Sequence, residues 1–203
     1  KGLVLPPKLA PYKVVIVPIY KGEEQLAQIS EEALKIKANL EADGISVKFD
    51  SRDTHKPGWK FTEYEFKGVP VRIAIGPRDL ENGTVEVARR DTFEKETLQV
   101  SNLSNKVSNI LEQIQENLYQ KAATFRDDNT HHASSWENFK ELIAKDAGFV
   151  YAHWDGTSET EQKIKDETKA TIRCIPLNNK QEEGACIYSG NSSTQKVLFA
   201  KAY

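Results

Sequence analysis

A short apolar run, a helix-period stretch and a second short run succeed one another in residues 13–49, and this order constrains the fold more than any other feature. Lys13–Tyr20 is rich in β-branched residues, as a buried strand is. Leu26, Ile29, Ala33, Ile36 and Leu40 follow at spacings of 3, 4, 3 and 4, which gives one apolar face to a helix. Gly44 is placed to stop that helix, and Ile45–Phe49 alternates as a strand does. Strand, helix, strand reads as a βαβ unit, whose crossover should be right-handed.

Further strands are expected at Val71–Ile75, Val85–Ala88 and, at the edge, Thr97–Val100. Glu81-Asn82-Gly83-Thr84 supplies an Asn-Gly turn for a hairpin between two of them. Leu103, Val107, Ile110, Ile114 and Leu118 mark a second amphipathic helix. Residues 12–125 therefore predict an α/β unit, a mixed five-stranded sheet with flanking helices. A small α+β unit, residues 126–203, is expected to follow. Its polar start, Thr124–Ser135, reads as a connection. Ser134-Ser135-Trp136-Glu137 carries a Ser-x-x-Glu capping box, with Phe139, Leu142 and Ile143 as the buried face behind it. The apolar run Phe149–Trp154, a polar helix near 158–169, and short strands and turns complete the chain.

With 38% hydrophobic and 29% charged residues, the 203-residue chain reads as soluble and globular. No apolar run approaches the roughly 18–20 residues of a membrane span, and no signal peptide is evident. Two cysteines, Cys174 and Cys186, fit a reducing cytoplasm better than a disulfide scaffold. A net charge of −2 argues against a sequence-blind grip on nucleic acid. Residues 48–90 nevertheless hold nine Lys/Arg against seven Asp/Glu, which allows a site built on placed contacts.

Both ends of the chain are distinctive. Gly2-Leu3-Val4-Leu5-Pro6-Pro7-Lys8-Leu9-Ala10-Pro11 leads into Val14-Val15-Ile16-Val17-Pro18-Ile19-Tyr20, and the chain closes on Val197-Leu198-Phe199-Ala200-Lys201-Ala202-Tyr203. These segments resemble the prolyl-tRNA synthetases of archaeal/eukaryotic type, at the junction after the catalytic core and at the C-terminus. The resemblance implies that residues 1–11 are the tail of a catalytic domain absent here, that residues 12–125 bind the anticodon, and that residues 126–203 form the C-terminal domain. The intact enzyme would bind ATP, Mg²⁺ and proline in its core, attach proline to tRNA(Pro), and act as a cytoplasmic homodimer. This chain alone should not aminoacylate. A different class, a non-catalytic RNA- or protein-binding module on the same fold, is the alternative.

The resemblance places anticodon contacts at Phe61 and Glu65, and at Arg78 and Asp79 in Gly76-Pro77-Arg78-Asp79. Proline anticodons end in two guanines. Guanine offers N–H donors that carboxylates accept, and O6/N7 acceptors that Arg or Lys satisfies. Phe61 is then expected to stack, Glu65 and Asp79 to take guanine donors, and Arg78 to meet acceptors or phosphate. Lys56, Lys60, Arg72 and Arg90 are candidates for RNA backbone contacts. The competing reading is an amphipathic surface helix with ordinary solvated charges.

In many relatives of that family the C-terminal domain holds zinc on four cysteines. Those positions here are Asp155, Thr160, Cys186 and Ser189, of which one is a thiol. No bound metal is expected, because structural zinc wants thiolate or imidazole. Cys174, outside the pattern, is expected to be buried, and Trp154 and Phe199 to supply the packing. The resemblance also gives Tyr203 a place beside the catalytic domain. His131-His132 is expected to be exposed, and His55 and His153 have no partner legible in sequence. No Ser–His–Asp order, Cys–His pair or Gly-rich phosphate loop stands out.

Overall fold

The computed structural model describes residues 2–145, 148–177 and 181–201. The chain divides into two compact units, residues 1–121 and 122–203. In the first, β1 (Val14–Pro18), α1 (Glu23–Ala42), β2 (Val47–Phe49), α2 (Pro57–Lys67), β3 (Val71–Ile75), α3 (Pro77–Asn82), β4 (Thr84–Arg89) and β5 (Lys95–Gln99) follow in order, and α4 (Leu103–Asp128) begins there and ends past residue 121. The sheet runs β2-β1-β3-β4-β5. β1 lies parallel to β2 and β3, whereas β3/β4 and β4/β5 are antiparallel.

Why this sheet forms follows from its two faces. On one, Val14 and Ile16 of β1 with Val71, Ile73 and Ile75 of β3 meet Ile29, Ala33, Ile36 and Leu40 of α1 and the first half of α4. On the other, Val15 and Val17 are covered by Tyr64, Val69 and Phe61. β1 is therefore buried on both sides, which its unbroken apolar run anticipates. Each large apolar side chain placed there contributes on the order of 1.5–3 kcal/mol.

The expected Asn-Gly hairpin turn does not form. Residues 77–82 instead make α3, and Gly83 ends it in the left-handed conformation at φ 63. Pro77 at the first helical turn and the Asp79 carboxylate on the Gly76 N–H (2.9 Å) start that helix before a turn can form. β3 and β4 still pair antiparallel across it. At the end of α2, Gly68 takes φ 73 and lies under the segment before β1, where Leu3 N–H donates to Phe66 O and Leu5 N–H to Gly68 O. An added Cβ would stand 2.8 Å from Leu3 Cβ, so only glycine fits there.

The second unit holds β6 (Thr130–His132), α5 (Trp136–Ala144), β7 (Phe149–His153), α6 (Ser158–Thr168), β8 (Ala170–Cys174), β9 (Gly184–Ala185), β10 (Ser192–Ser193) and β11 (Lys196–Lys201). Its main sheet runs β6-β7-β11-β8 around Phe139, Ile143, Val150, Ile164 and Phe199, with Trp154 packed against them. The connection expected over Thr124–Ser135 is instead the end of α4 and then β6, which pairs parallel with β7. His131 is half-buried and only His132 is exposed, since neighbours on a strand face opposite ways. The helix cap also shifts by one residue: Ser135, not Ser134, accepts the Asn138 N–H at 3.1 Å. The cysteine expectation is reversed in part, because Cys174 is exposed at the end of β8 and Cys186 is buried. Tyr203 lies outside the described residues.

Candidate nucleic-acid interface

Cross-strand partners share a sheet face, so the register gives the rows Val15–Arg72–Ala88–Lys95 and Val17–Ala74–Glu86–Thr97. α2 covers the β1 end of these rows. Toward β5 the same face stays open, with Thr84 and Glu86 half-buried and Lys95, Thr97 and Gln99 exposed.

Phe61 and Glu65, one turn apart on α2, flank this open face. The Arg72 guanidinium carbon sits 3.7 Å from the Phe61 ring centroid, and its Nη1 reaches Glu86 at 3.3 Å. Arg90 donates from Nε to the Glu65 carbonyl at 3.0 Å and lies over the Phe93 ring. Phe61, Glu65, Arg72, Arg90, Phe93 and Lys95 line a cleft of about 100 Å³. Glu65 is half-buried there, and its carboxylate has no hydrogen-bond or ion-pair partner among the described residues. A carboxylate on a stacking ring's helix, backed by guanidinium groups, suits a base edge that presents N–H donors.

Three of the expected backbone contacts are corrected. Lys60 is 1% exposed, Arg90 5% and Arg72 7%, so none offers its charge freely to a phosphate. Arg72 and Arg90 build the cleft wall instead. Lys60 points inward, donating to the Asp50 carbonyl at 3.0 Å with its Nζ 3.7 Å from the Asp50 carboxylate. Lys56 remains exposed and unpaired among the described residues. Arg78 is exposed on the first turn of α3, also without a side-chain partner among them. Asp79 next to it is occupied by the Gly76 N–H and by Thr84 Oγ1 at 3.4 Å. Arg78 and Asp79 do not line the Phe61–Glu65 cleft; they stand where β3 gives way to α3.

Sequence reasoning missed the group that fixes α2. Asp50, 2% exposed at the end of β2, accepts from Arg52 Nη2 at 2.7 Å and from Tyr64 Oη at 3.1 Å. Burial alone would raise its carboxyl; the Arg52 hydrogen bonds, Lys60 and Tyr64 outweigh that and hold it well below the carboxylate range. Burial also lowers the Lys60 ammonium, against the pull of Asp50. With Lys60 and Tyr64 tied inward, Phe61 and Glu65 one position on must face the open sheet.

The zinc positions in the second unit do not fit the metal. Asp155 Oδ2 accepts from Ser189 Oγ at 2.6 Å and Thr160 Oγ1 at 2.8 Å, and its Oδ1 accepts from the Thr157 amide and hydroxyl. Hydroxyls thus use the lone pairs that a cation would need. Cys186 is buried in the adjoining turn, where its N–H donates to Asn191 O. Among the described residues no three His, Cys, Asp or Glu side chains are grouped to hold a metal.

Residues 13–110 match the family described as anticodon binding domain, and residues 136–203 that described as prolyl-tRNA synthetase, C-terminal. The chain contains an anticodon-binding domain. Along its whole length it is also similar to proline–tRNA ligases: 61% identical to one from Porphyromonas gingivalis over 202 residues, 56% to one from Flavobacterium johnsoniae over 203, and 55% to one from Christiangramia forsetii over 202. The chain matches the C-terminal part of such enzymes and spans 41% of each relative's length. No helix among the described residues is long and apolar enough to cross a membrane.

Proposed function

We propose that this chain is the C-terminal part of a proline–tRNA ligase of archaeal/eukaryotic type, and that its first unit reads the guanine-ending anticodon of tRNA(Pro). The unpaired Glu65 carboxylate beside the Phe61–Arg72 stack carries the reading. A guanine stacked on Phe61 gives its N1 and N2 hydrogens to Glu65, while Arg78 meets an acceptor or phosphate and Asp79, from its capping position, a second guanine. Residues 12–125 serve as the anticodon-binding domain, 126–203 as a C-terminal domain held by packing without metal, and 1–11 as the link to the rest of the enzyme. The full-length protein, a cytoplasmic homodimer, binds ATP and Mg²⁺ outside this chain, forms prolyl-adenylate and passes proline to the tRNA.

Two measurements test this. An anticodon stem–loop RNA should bind the chain, and replacing its two guanines should remove the difference between wild type and Glu65→Ala. Equal losses on both RNAs would refute the role given to Glu65. Proline-dependent ATP–pyrophosphate exchange should be absent from this chain and present in the full-length protein.

A further inference from the structure

The opposite flank of α2 carries an aromatic surface that the Phe61–Glu65 site leaves unused. Trp59 is 48% exposed. The His55 ring lies on its indole with centroids 3.7 Å apart and planes inclined by 27°. The Arg52 guanidinium carbon stands 5.6 Å from the indole centroid. These groups are anchored. Thr54 Oγ1 lies 2.8 Å from His55 Nδ1, and Arg52 bridges the carboxylates of Asp50 and Glu63. Exposed Lys56 sits between the two rings in sequence, and Lys48 of edge strand β2 lies 5.7 Å above the ring of exposed Tyr12.

Residues two positions apart on a helix, as Trp59 and Phe61 are, lie about 200° apart around its axis. Trp59 therefore faces Arg52 and the loop after β2, whereas Phe61 faces Arg72 and β3. An indole used only for packing would be mostly buried; this one presents about half its surface beside cations. Stacked rings edged by Arg and Lys accept any nucleobase through its π-face, with little preference among bases.

We propose that the His55–Trp59 stack, with Lys56, is a second RNA subsite that takes one unpaired nucleobase lying outside the guanine pair. It rests on the reading of the first unit as an RNA-binding domain. A helix is only about 10–12 Å across with its side chains, so one RNA loop can engage both flanks. The subsite adds affinity and register without adding sequence choice.

The test is binding of the 203-residue chain to a fluorescent anticodon stem–loop RNA and to versions abasic at single loop positions outside the guanine pair. Trp59→Ala should weaken the intact RNA roughly five- to a hundredfold, the range for one lost base stack, and Trp59→Tyr should restore most of it. One abasic RNA should bind wild type as weakly as Trp59→Ala binds the intact RNA, with no further loss when the two changes are combined. Melting temperature, followed by circular dichroism, should be unchanged. Trp59→Ala binding as wild type, or losses that add at every abasic position, would overturn the subsite. If Phe61→Ala still weakens binding in that case, the RNA-binding reading stands without the subsite. If wild type fails to bind the stem–loop, both fall.

Discussion

Lys60 shows how far a residue's type can mislead about its place. Its charge suggested a phosphate contact, yet its ammonium sits beside Asp50, ten positions upstream at the end of another element. Nothing local in the sequence marks that pair, because only the packing of α2 on the sheet brings Lys60 to the residue that follows β2. Lys60→Ala would leave Asp50 buried with one cation fewer, and breaking such a pair costs about 3 kcal/mol or more. Urea unfolding should show that loss, against less than about 0.5 kcal/mol for exposed Lys56→Ala. A Lys60→Ala protein as stable as wild type would mean that Arg52 and Tyr64 alone satisfy Asp50. Phe61 and Glu65 are singled out only by the likeness to a family, since an aromatic and an acid one turn apart also describe an ordinary surface helix. The open Glu65 carboxylate, on which the proposed role rests, is a fact of three dimensions.

Among the elements, strongly periodic ones were readable and short polar ones were not. β1, α1 and β3 follow directly from runs of β-branched residues and from the 3–4 spacing of Ile29, Ala33, Ile36 and Leu40, all buried. β6 has three polar residues, Thr130–His132, and exists because β7 pairs with it. α3 was hidden by Asn82-Gly83, which signals a hairpin turn as readily as a helix end. Its start depends on Asp79, which gives that residue two duties. Asp79→Ala should cost about 1 kcal/mol in stability, as loss of a helix cap does, and should also weaken a guanine-ending anticodon RNA. Asp79→Asn keeps an oxygen for Gly76 N–H and should restore most of the stability, but place an amide donor where a base donor is to be accepted. Full RNA affinity in Asp79→Asn would leave the residue with its capping duty alone.

At the scale of the whole molecule, two cores are built on different supports. The first is sheet and helices packed on both faces of β1. The second centres on Phe139 and Phe199, whose rings meet edge-on at 5.1 Å, and its outer loops are held by the Asp155 hydrogen-bond cluster. Phe199→Ala should destabilise residues 122–203 by about 3–5 kcal/mol while leaving anticodon RNA affinity unchanged. Chelator should not move the melting transition of that unit, because hydroxyls already take the Asp155 oxygens. Acid should move it. Burial raises the Asp155 carboxyl, but hydrogen bonds from Ser189, Thr157 and Thr160 outweigh this and keep it below the usual carboxylate range. A carboxyl depressed by folding stabilises the native state above its unfolded value, about pH 4, and loses that contribution as pH falls toward the folded value. Asp155→Asn should therefore lower the melting temperature at pH 7, with the gap to wild type closing as pH is taken from about 5 toward 2. A gap that stays constant over that range would show that the carboxylate's charge plays no part in holding the loops together.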